Sequence, residues 1–460
     1  MHLNNQRVAI LGGGRSGIAA AALAVREGAL VTLFDSAGGA AAAKLEAWAA
    51  NFPSVELITG TDAVDSKTRR FDLVVTSPGI SLVDGWGANM AACGARAIGE
   101  IEFASWYFSG KTIGITGTNG KTTTTEMIRE LLCAAGEVCV AAGNYGLPLS
   151  EVVLNHPEVT TVALELSSFQ LETISDFAPT VALWLNFAPD HMDRYPDLAA
   201  YRAAKERIYL NLGVGHQAVV PPCERATAAR SGAKICTFDV DDTSADWHIK
   251  DGKIIHSGEV LMDLANVAVR GRHNHANMLA AMAAVDAFGA SLAHAETVFS
   301  RYLPPPHRYE WIATMQGVDF INDSKSTNLH SLETALLAER RPRVLIAGGK
   351  EKGLDFSPLA ELVNRHCRAV VAIGEIRHAL RAAWGPSVVI PLENDFAAAI
   401  HKAHALAEPG DAVLLSPGTS SFDMFRDYTH RGEEFRRIVL AMTHPTFSQS
   451  TSNERIYENQ

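Results

Sequence analysis

The sequence predicts an α/β protein built from three successive parallel-sheet units. Three observations carry that expectation. Short apolar runs alternate with helical ones through the first hundred residues, a strand–glycine turn–helix pattern recurs at Gly114, and a further alternating block follows three consecutive prolines. A chain of 460 residues is long enough for several domains with real cores.

In the first unit "RVAIL" (7–11) reads as a strand that enters the turn "GGGRSG". The following helix, "SGIAAAALAVREG", ends at Gly28, which suits the left-handed position past a helix end. "ALVTLF" is the next strand and finishes on Asp35, and "FDLVVTSPGI" (71–80) repeats the strand-then-turn logic. The second unit begins near Glu100. "KTIGIT" (111–116) is a strand. In the helix after it, Met127, Ile128, Leu131 and Leu132 share one face and Gly136 lies past the end. "TVALEL" (161–166) and "TVALWLN" (180–186) read as buried strands. The stretch 215–270 is polar and irregular, with alternating pieces that suggest a small antiparallel sheet, and 273–290 is a helix. Segment 301–311 contains Pro304, Pro305 and Pro306, which cannot continue a helix and favour an extended linker. The third unit shows strands at 343–349, 369–374, 387–392 and 411–418, and the polar tail past Thr443 is expected to fray. The expected boundaries are 1–99, 100–304 and 305–460.

Charge narrows the partners. With 40 basic and 51 acidic residues the net charge is −11, which argues against a general nucleic-acid binder. No apolar run reaches the roughly 18 residues a membrane span needs. The N-terminus enters a strand with no signal-peptide layout, so a cytoplasmic protein is expected. Six scattered cysteines without a C-x-x-C pair are expected to be reduced thiols.

Two glycine-rich turns carry the chemistry. Gly12-x-Gly14-x-x-Gly17 joins a strand to a helix, and Asp35 closes the next strand. Glycines let the backbone approach a diphosphate, the helix N-terminus offers N–H groups, and the acid suits a ribose hydroxyl. The pattern fits a dinucleotide, another nucleotide or a tight turn without a ligand. The second turn, "GITGTNGKTTTTE" (114–126), has Ile115 where the generic P-loop has its first glycine. Its context is nevertheless right. Successive N–H groups can wrap a polyphosphate, Lys121 can reach the terminal phosphates, and the Thr122 hydroxyl can hold Mg²⁺, so ATP is the expected ligand.

"TGTNGKTTT" resembles the loop of the Mur ligases and the related folylpolyglutamate synthases. "GNYGLP" (143–148), "ELSSFQLE" (165–172), "NFAPDHMDRY" (186–195), "YRAAKERIY" (201–209), "GRHNHANMLAA" (271–281), "PPHRYE" (305–310), "NDSKSTN" (322–328) and "LLSPGTSSFDMF" (414–425) follow in that family's order. The resemblance runs from Gly12 to about Phe435 and points to the glutamate-adding branch. It implies a Rossmann-like N-terminal domain for a UDP-sugar, a central P-loop ATPase domain and a Rossmann-like C-terminal domain for the amino acid. The implied reaction joins D-glutamate to UDP-N-acetylmuramoyl-L-alanine through an acyl phosphate, in peptidoglycan precursor synthesis. The expected partners are these small molecules and ATP, with no nucleic acid and no membrane, on a monomer.

What the resemblance implies extends to residues. Lys121, His191 and Lys205 are catalytic. Gly117, Thr118, Asn119, Gly120, Lys121, Thr122, Thr123, Asn274, Asn277, His307, Arg308, Asp323 and Lys325 bind ATP. Gly14, Arg15, Ser16, Asp35, Ser36, Gly79 and Asn144 hold the UDP-sugar. Thr327, Lys352, Ser421 and the Phe422 backbone bind glutamate, with Lys350 a neighbour able to share the role. Thr122, Glu165, His191 and Lys205 serve two Mg²⁺ sites, with Lys205 carbamylated so that a cation becomes an anionic ligand. Asp190 and Asp193 fit either helper or capping roles. His307 and Arg308, beside the prolines, suit contacts formed when the third domain swings about 301–306.

Two stretches depart from the family. "SPGTSSFDMF" replaces a common "SPACAS", and Ala37 stands where some relatives have a basic side chain. The competing readings are ligation of L-glutamate or another amino acid, and an NAD-dependent oxidoreductase built on the first glycine turn. Spacing does not set the enantiomer.

Overall fold

A computed structural model describes residues 2–60, 69–192, 194–269, 271–338, 341–385 and 388–443. Asp193, Ser387 and the tail past Thr443 lie outside the described residues. The chain divides into two compact units: 1–270 with 274–302, and 271–273 with 303–460. Among the described residues no helix is long and apolar enough to cross a membrane.

The first unit holds two sheets. The first sheet comprises β1 (Arg7–Leu11), β2 (Leu30–Asp35), β3 (Val55–Thr59), β4 (Leu73–Thr76) and β5 (Ala97–Gly99), all parallel, in the order β3-β2-β1-β4-β5. The order reverses between β1 and β4, so the glycine turn after β1 opens at the switch point where such sheets place ligands. Helix Arg15–Arg26 buries Ala20, Ala21, Leu23 and Ala24 against this sheet. Gly28, at φ +86°, ends it as expected.

The second sheet comprises β6 (Lys111–Thr116), β7 (Cys139–Gly143), β8 (Thr161–Glu165), β9 (Val181–Trp184), β10 (Gln217–Val220), β11 (Lys234–Asp239), β12 (Trp247–Lys250), β13 (Lys253–His256) and β14 (Glu259–Asp263). Its order is β14-β13-β12-β11-β10-β9-β6-β8-β7. The stretch 215–270 holds the expected antiparallel strands, but they form the edge of this sheet and not a separate one. β10 and β11 add in parallel, and β12–β14 turn antiparallel at the edge. "QAVV" and "KICTFD" are four- and six-residue runs, too short for periodicity to separate from loop. One apolar core runs from Leu3 through Ala233, so the two sheets share packing. Glu102 braces this region from a fully buried position, accepting from the N–H groups of Ser175, Asp176 and Phe177.

The second unit has one sheet. It comprises β15 (Glu310–Met315), β16 (Val318–Asn322), β17 (Arg343–Gly348), β18 (Cys367–Ile373) and β19 (Ala412–Leu415), ordered β15-β16-β19-β17-β18. β15 is antiparallel to β16 and the rest are parallel. Two expectations change here. The strand expected at 387–392 is reduced to isolated bridges, Ala369–Val389 and Ala372–Leu392. The linker ends earlier than the aromatic run suggested, because Glu310 and Trp311 already pair with Asn322 and Ile321.

The glycines of the first turn separate packing from approach. A Cβ on Gly17 would sit 1.7 Å from the Gly12 carbonyl oxygen, whereas one on Gly14 would meet nothing within 4 Å. Gly14 has φ −71°, which any residue adopts. Gly17→Ala should therefore lose about 1–3 kcal/mol of stability or more. Gly14→Ala should stay within about 0.5 kcal/mol of wild type in urea unfolding. Equal losses would contradict this division.

Candidate active site

The nucleotide loop follows β6, which lies between β8 and β9 in its sheet. Gly117 at φ +153° and Gly120 at φ +82° adopt backbone that favours glycine, and helix Lys121–Ala134 starts directly after. The loop's shape is held from the β9 side. Asn186 accepts from the Asn119 N–H through Oδ1 (2.9 Å) and donates to the Asn119 carbonyl through Nδ2 (3.0 Å). The Thr118 hydroxyl donates to the Ala188 carbonyl and accepts from its N–H, at 3.1 and 3.0 Å. Tyr201 Oη lies 3.3 Å from the same hydroxyl. Asn186 and Tyr201 were both inside recognised motifs, yet side-chain type alone did not mark them as loop clamps.

Two ammonium groups donate into this loop. Lys121 Nζ donates to the carbonyls of Gly117 and Thr118, each at 2.9 Å. Lys205 Nζ donates to the Gly117 carbonyl at 2.8 Å from a side chain only 1% exposed. Asp197 caps helix Leu198–Glu206 through the Ala200 N–H, and the four-residue spacing puts Tyr201 and Lys205 on its buried face. Burial pushes the Lys205 amine well below the usual lysine range, helped by the charge of Lys121 and opposed by Asp190 and Glu165.

Glu165 ends β8 at 2% exposure. Its Oε1 accepts from Asn144 Nδ2 at 2.7 Å, while Oε2 is buried without a hydrogen-bond partner. A buried, unsatisfied carboxylate oxygen is costly unless something fills its coordination. Asn144 is thus tied to Glu165 by side chain, and by its N–H to the Glu165 carbonyl at 2.9 Å. Among the described residues no three His, Cys, Asp or Glu side chains gather into a metal cage. Mg²⁺ typically uses one or two carboxylates and completes its shell with water and phosphate. The orphan oxygen of Glu165 beside a phosphate-type loop fits that ion.

His191 takes a left-handed backbone, φ +56°. Its N–H donates to Asp190 Oδ1 at 2.9 Å, and its ring meets Phe169 edge-on at 4.9 Å and Tyr201 at 6.0 Å. The loop is fastened just beyond by Glu172, which accepts from Arg194 Nη2 (2.6 Å) and from Tyr195 Oη. Glu172, Arg194 and Tyr195 also line a cavity of about 630 Å³ with Leu82, Val83 and Arg207. Sequence reasoning missed Glu172; its signal was a carboxylate seven residues beyond Glu165 with no role assigned.

Asn277 lies against the loop: its Oδ1 would lie 2.3 Å from a Cβ on Gly120. Asn274 is buried one turn earlier on helix Arg272–Phe288. At the first glycine turn, Asp35 is engaged by backbone. Gly13 N–H donates to Oδ2 (2.5 Å) and Ala37 N–H to Oδ1 (2.7 Å). Position 37 therefore contributes through its amide, whatever its side chain. Arg15 is exposed and 3.7 Å from Glu151, and Ser36 and Gly79 are exposed, with Ser16 half-buried on the first helical turn.

In the second unit His307 is buried at φ +66°, and its Nδ1 is 3.0 Å from Asn322 Nδ2. Its ring packs so closely on Gly432 that a Cβ there would lie 2.2 Å away. Asp323 accepts from Ser416 Oγ at 2.9 Å and from the Tyr309 N–H at 3.1 Å. Lys325 Nζ lies 3.8 Å from the Tyr428 ring centroid, and Arg308 and Thr327 are half-buried nearby in sequence. Lys350 and Lys352 are exposed on the loop after β17, Ser421 is buried, and Phe422 is 65% exposed.

A mostly parallel sheet with a phosphate-type loop after an interior strand, joined to a second α/β unit bearing cationic loops, defines a nucleotide-using α/β enzyme. The models of the Mur ligase middle domain and of the Mur ligase glutamate ligase domain match residues 115–285 and 307–419. A Methylobacillus flagellatus protein named UDP-N-acetylmuramoylalanine–D-glutamate ligase is 37% identical, covering 95% of this chain and 98% of its own length. The protein of that name from Thiobacillus denitrificans is 38% identical, covering 95% and 96%. Among solved structures, UDP-N-acetylmuramate-alanine ligase MurC from Thermotoga maritima shares the fold at TM-score 0.60 and 16% identity, covering 95% of this chain and 100% of that one. MurF ligase from Thermotoga maritima, in complex with ADP, does so at 0.59 and 16%, covering 96% of each. The chain belongs to the Mur ligase family and is an ATP-dependent ligase. The oxidoreductase alternative is set aside.

Burial pushes the Asp323 carboxyl up to about 7, against the hydrogen bonds it accepts. A carboxyl with a raised folded pKa adds stability that is complete below its unfolded value and lost as pH rises through the folded one. Asp323→Asn should therefore gain melting temperature relative to wild type as pH rises from about 5.5 to about 8. A difference that does not change with pH would contradict the assignment.

Proposed function

We propose that the chain joins D-glutamate to UDP-N-acetylmuramoyl-L-alanine at the expense of ATP, as a cytoplasmic monomer in peptidoglycan precursor synthesis. The observation that carries the reading is that Lys121 and Lys205 both donate into one loop, beside the strand end that carries the orphaned Glu165 oxygen, in a chain covered to 95% by relatives bearing that ligase name. The proposed layout has three domains, 1–99 for the UDP-sugar, 100–304 for ATP and 305–460 for the amino acid.

A carboxylate oxygen is a poor leaving group, so amide formation needs activation. The substrate carboxylate attacks the γ-phosphorus of ATP, the bond to the β–γ bridging oxygen breaks, and ADP leaves. The glutamate amine then attacks the acyl carbon and loses a proton, and inorganic phosphate departs with the acyl C–O electron pair. Catalysis is mostly the positioning and neutralisation of anions.

Lys121 leaves its loop carbonyls to meet the terminal phosphates, while the N–H groups from Gly117 to Thr123 wrap them. Thr122, Glu165, His191 and Lys205 would hold Mg²⁺ in two sites, and the ion supplies charge neutralisation on the phosphates. Lys205 fits that set as a carbamate: burial favours its neutral amine, which is the form that adds to CO₂. Asn144 orients Glu165 and faces the sugar-peptide. Gly14, Arg15, Ser16, Asp35, Ser36 and Gly79 take the uridine diphosphate end. Asn274, Asn277, His307, Arg308, Asp323 and Lys325 serve the nucleoside side of ATP. Thr327, Lys352, Ser421 and the Phe422 backbone receive glutamate, with Lys350 alongside.

Phosphate release from ATP and Mg²⁺ with UDP-N-acetylmuramoyl-L-alanine tests the reading, with D-glutamate compared against L-glutamate and lysine. Release with D-glutamate alone is expected, and Lys121→Met should slow it by about 100-fold or more. Release with L-glutamate alone would keep the chemistry and correct the substrate. Silence with all three amino acids would sink the assignment.

A further inference from the structure

The second unit buries a guanidinium that no assigned role uses. Arg431 is 1% exposed on helix Tyr428–Thr443, and among the described residues it makes no ion pair. Its Nε donates to Ser324 Oγ (3.0 Å) and its Nη2 to the Ser324 carbonyl (2.8 Å). Nη1 and Nη2 both reach the Thr419 carbonyl, each at 3.3 Å. One cation thereby joins the loop after β16 to the loop after β19.

Thr419 carries the link onward. It is fully buried, and its hydroxyl donates to the Lys350 carbonyl at 2.7 Å. The Lys350 N–H returns to the Ser420 carbonyl at 2.9 Å, and the Gly418 N–H donates to the Ser326 carbonyl at 3.0 Å. Gly418 itself sits at φ +73°. The three loops that follow β16, β17 and β19 are therefore locked at one junction. They carry, respectively, Thr327, Lys352 and Ser421. This is also the stretch, Gly418 to Ser420, where the sequence departs from the family's common form. A residue without a hydroxyl at 419 cannot make the bond to Lys350.

We infer that Thr419 and Arg431 are positioning residues for the amino-acid substrate: their junction fixes the three loops that bind glutamate. The inference rests on the amino-acid-site reading above. A buried cation satisfied only by carbonyls and a hydroxyl is stable only if all its acceptors stay in place. That requirement transmits to the loop geometry. Asp423 and Asp323 lie close enough to act on the charge of Arg431, whose part is to hold the loops rather than to meet the ligand. Four hydrogen bonds in a planar fork are beyond a lysine ammonium, so Arg431→Lys is not conservative.

The test is steady-state kinetics of the full chain, with KM determined separately for D-glutamate, ATP and the UDP-sugar-peptide. Thr419→Val is nearly isosteric and removes only the hydroxyl bond. It should raise the glutamate KM about tenfold, with the two nucleotide substrates' KM values within about twofold of wild type. Thr419→Ser keeps the hydroxyl and should behave as wild type, and Arg431→Lys should show the same glutamate-confined rise. If Arg431→Lys does not fold, the Thr419 pair decides alone. Unchanged glutamate KM in Thr419→Val would overturn the inference. So would a rise shared by all three substrates, or a lowered melting temperature with unaltered kinetics. Failure of the ligase reading looks different, because wild type itself would then release no phosphate with glutamate.

Discussion

The Lys205 amine lies 2.8 Å from the Gly117 carbonyl at 1% exposure, and that burial sets terms for the whole nucleotide loop. Desolvation disfavours its charge, Lys121 adds repulsion, and both push toward a neutral amine. A buried lysine amine, an orphaned Glu165 oxygen and the paired hydroxyls of Thr118 and Tyr201 make a buried polar site. Such a site becomes favourable only when phosphate and cation complete it.

The second unit answers a related demand by a related device. There too a basic side chain is buried beneath loops at the C-terminal ends of parallel strands, and it too donates to backbone carbonyls. Arg431 differs in chemistry, since its fork holds two segments at once, whereas Lys205 touches one carbonyl. Each unit thus puts a buried base under the surface that meets anions. The proposed substrates, a triphosphate, a carboxylate and a dicarboxylic amino acid, are all negative.

Much of this was legible in the sequence because glycine and charge mark backbone needs directly. The loop at 117–120 and the helix after it followed from local chemistry, and so did the Gly28 helix end. Glu165 and Lys205 stood out only through family resemblance, and only coordinates gave the burial that explains them. What stayed hidden depends on contacts across long sequence separations. Asn186 clamping Asn119, Glu172 fastening Arg194 and Tyr195, and Arg431 reaching Ser324 across 107 residues have no local signature. Short strands failed for a different reason. β10, β11 and the β15–β16 pair are defined by their neighbours in the sheet rather than by a period of their own. His307 likewise depends on distant partners, since its ring is held by Asn322 and packs on Gly432.

The most direct test of the buried-amine account is ¹³C NMR of the full chain after equilibration with ¹³C-labelled bicarbonate. The account predicts a slowly exchanging carbamate resonance in wild type that Lys205→Arg lacks, with phosphate release falling in bicarbonate-free buffer and returning when bicarbonate is restored. A wild-type spectrum without that resonance, alongside full activity in bicarbonate-free buffer, would contradict it and leave Lys205 as an amine that merely holds Gly117.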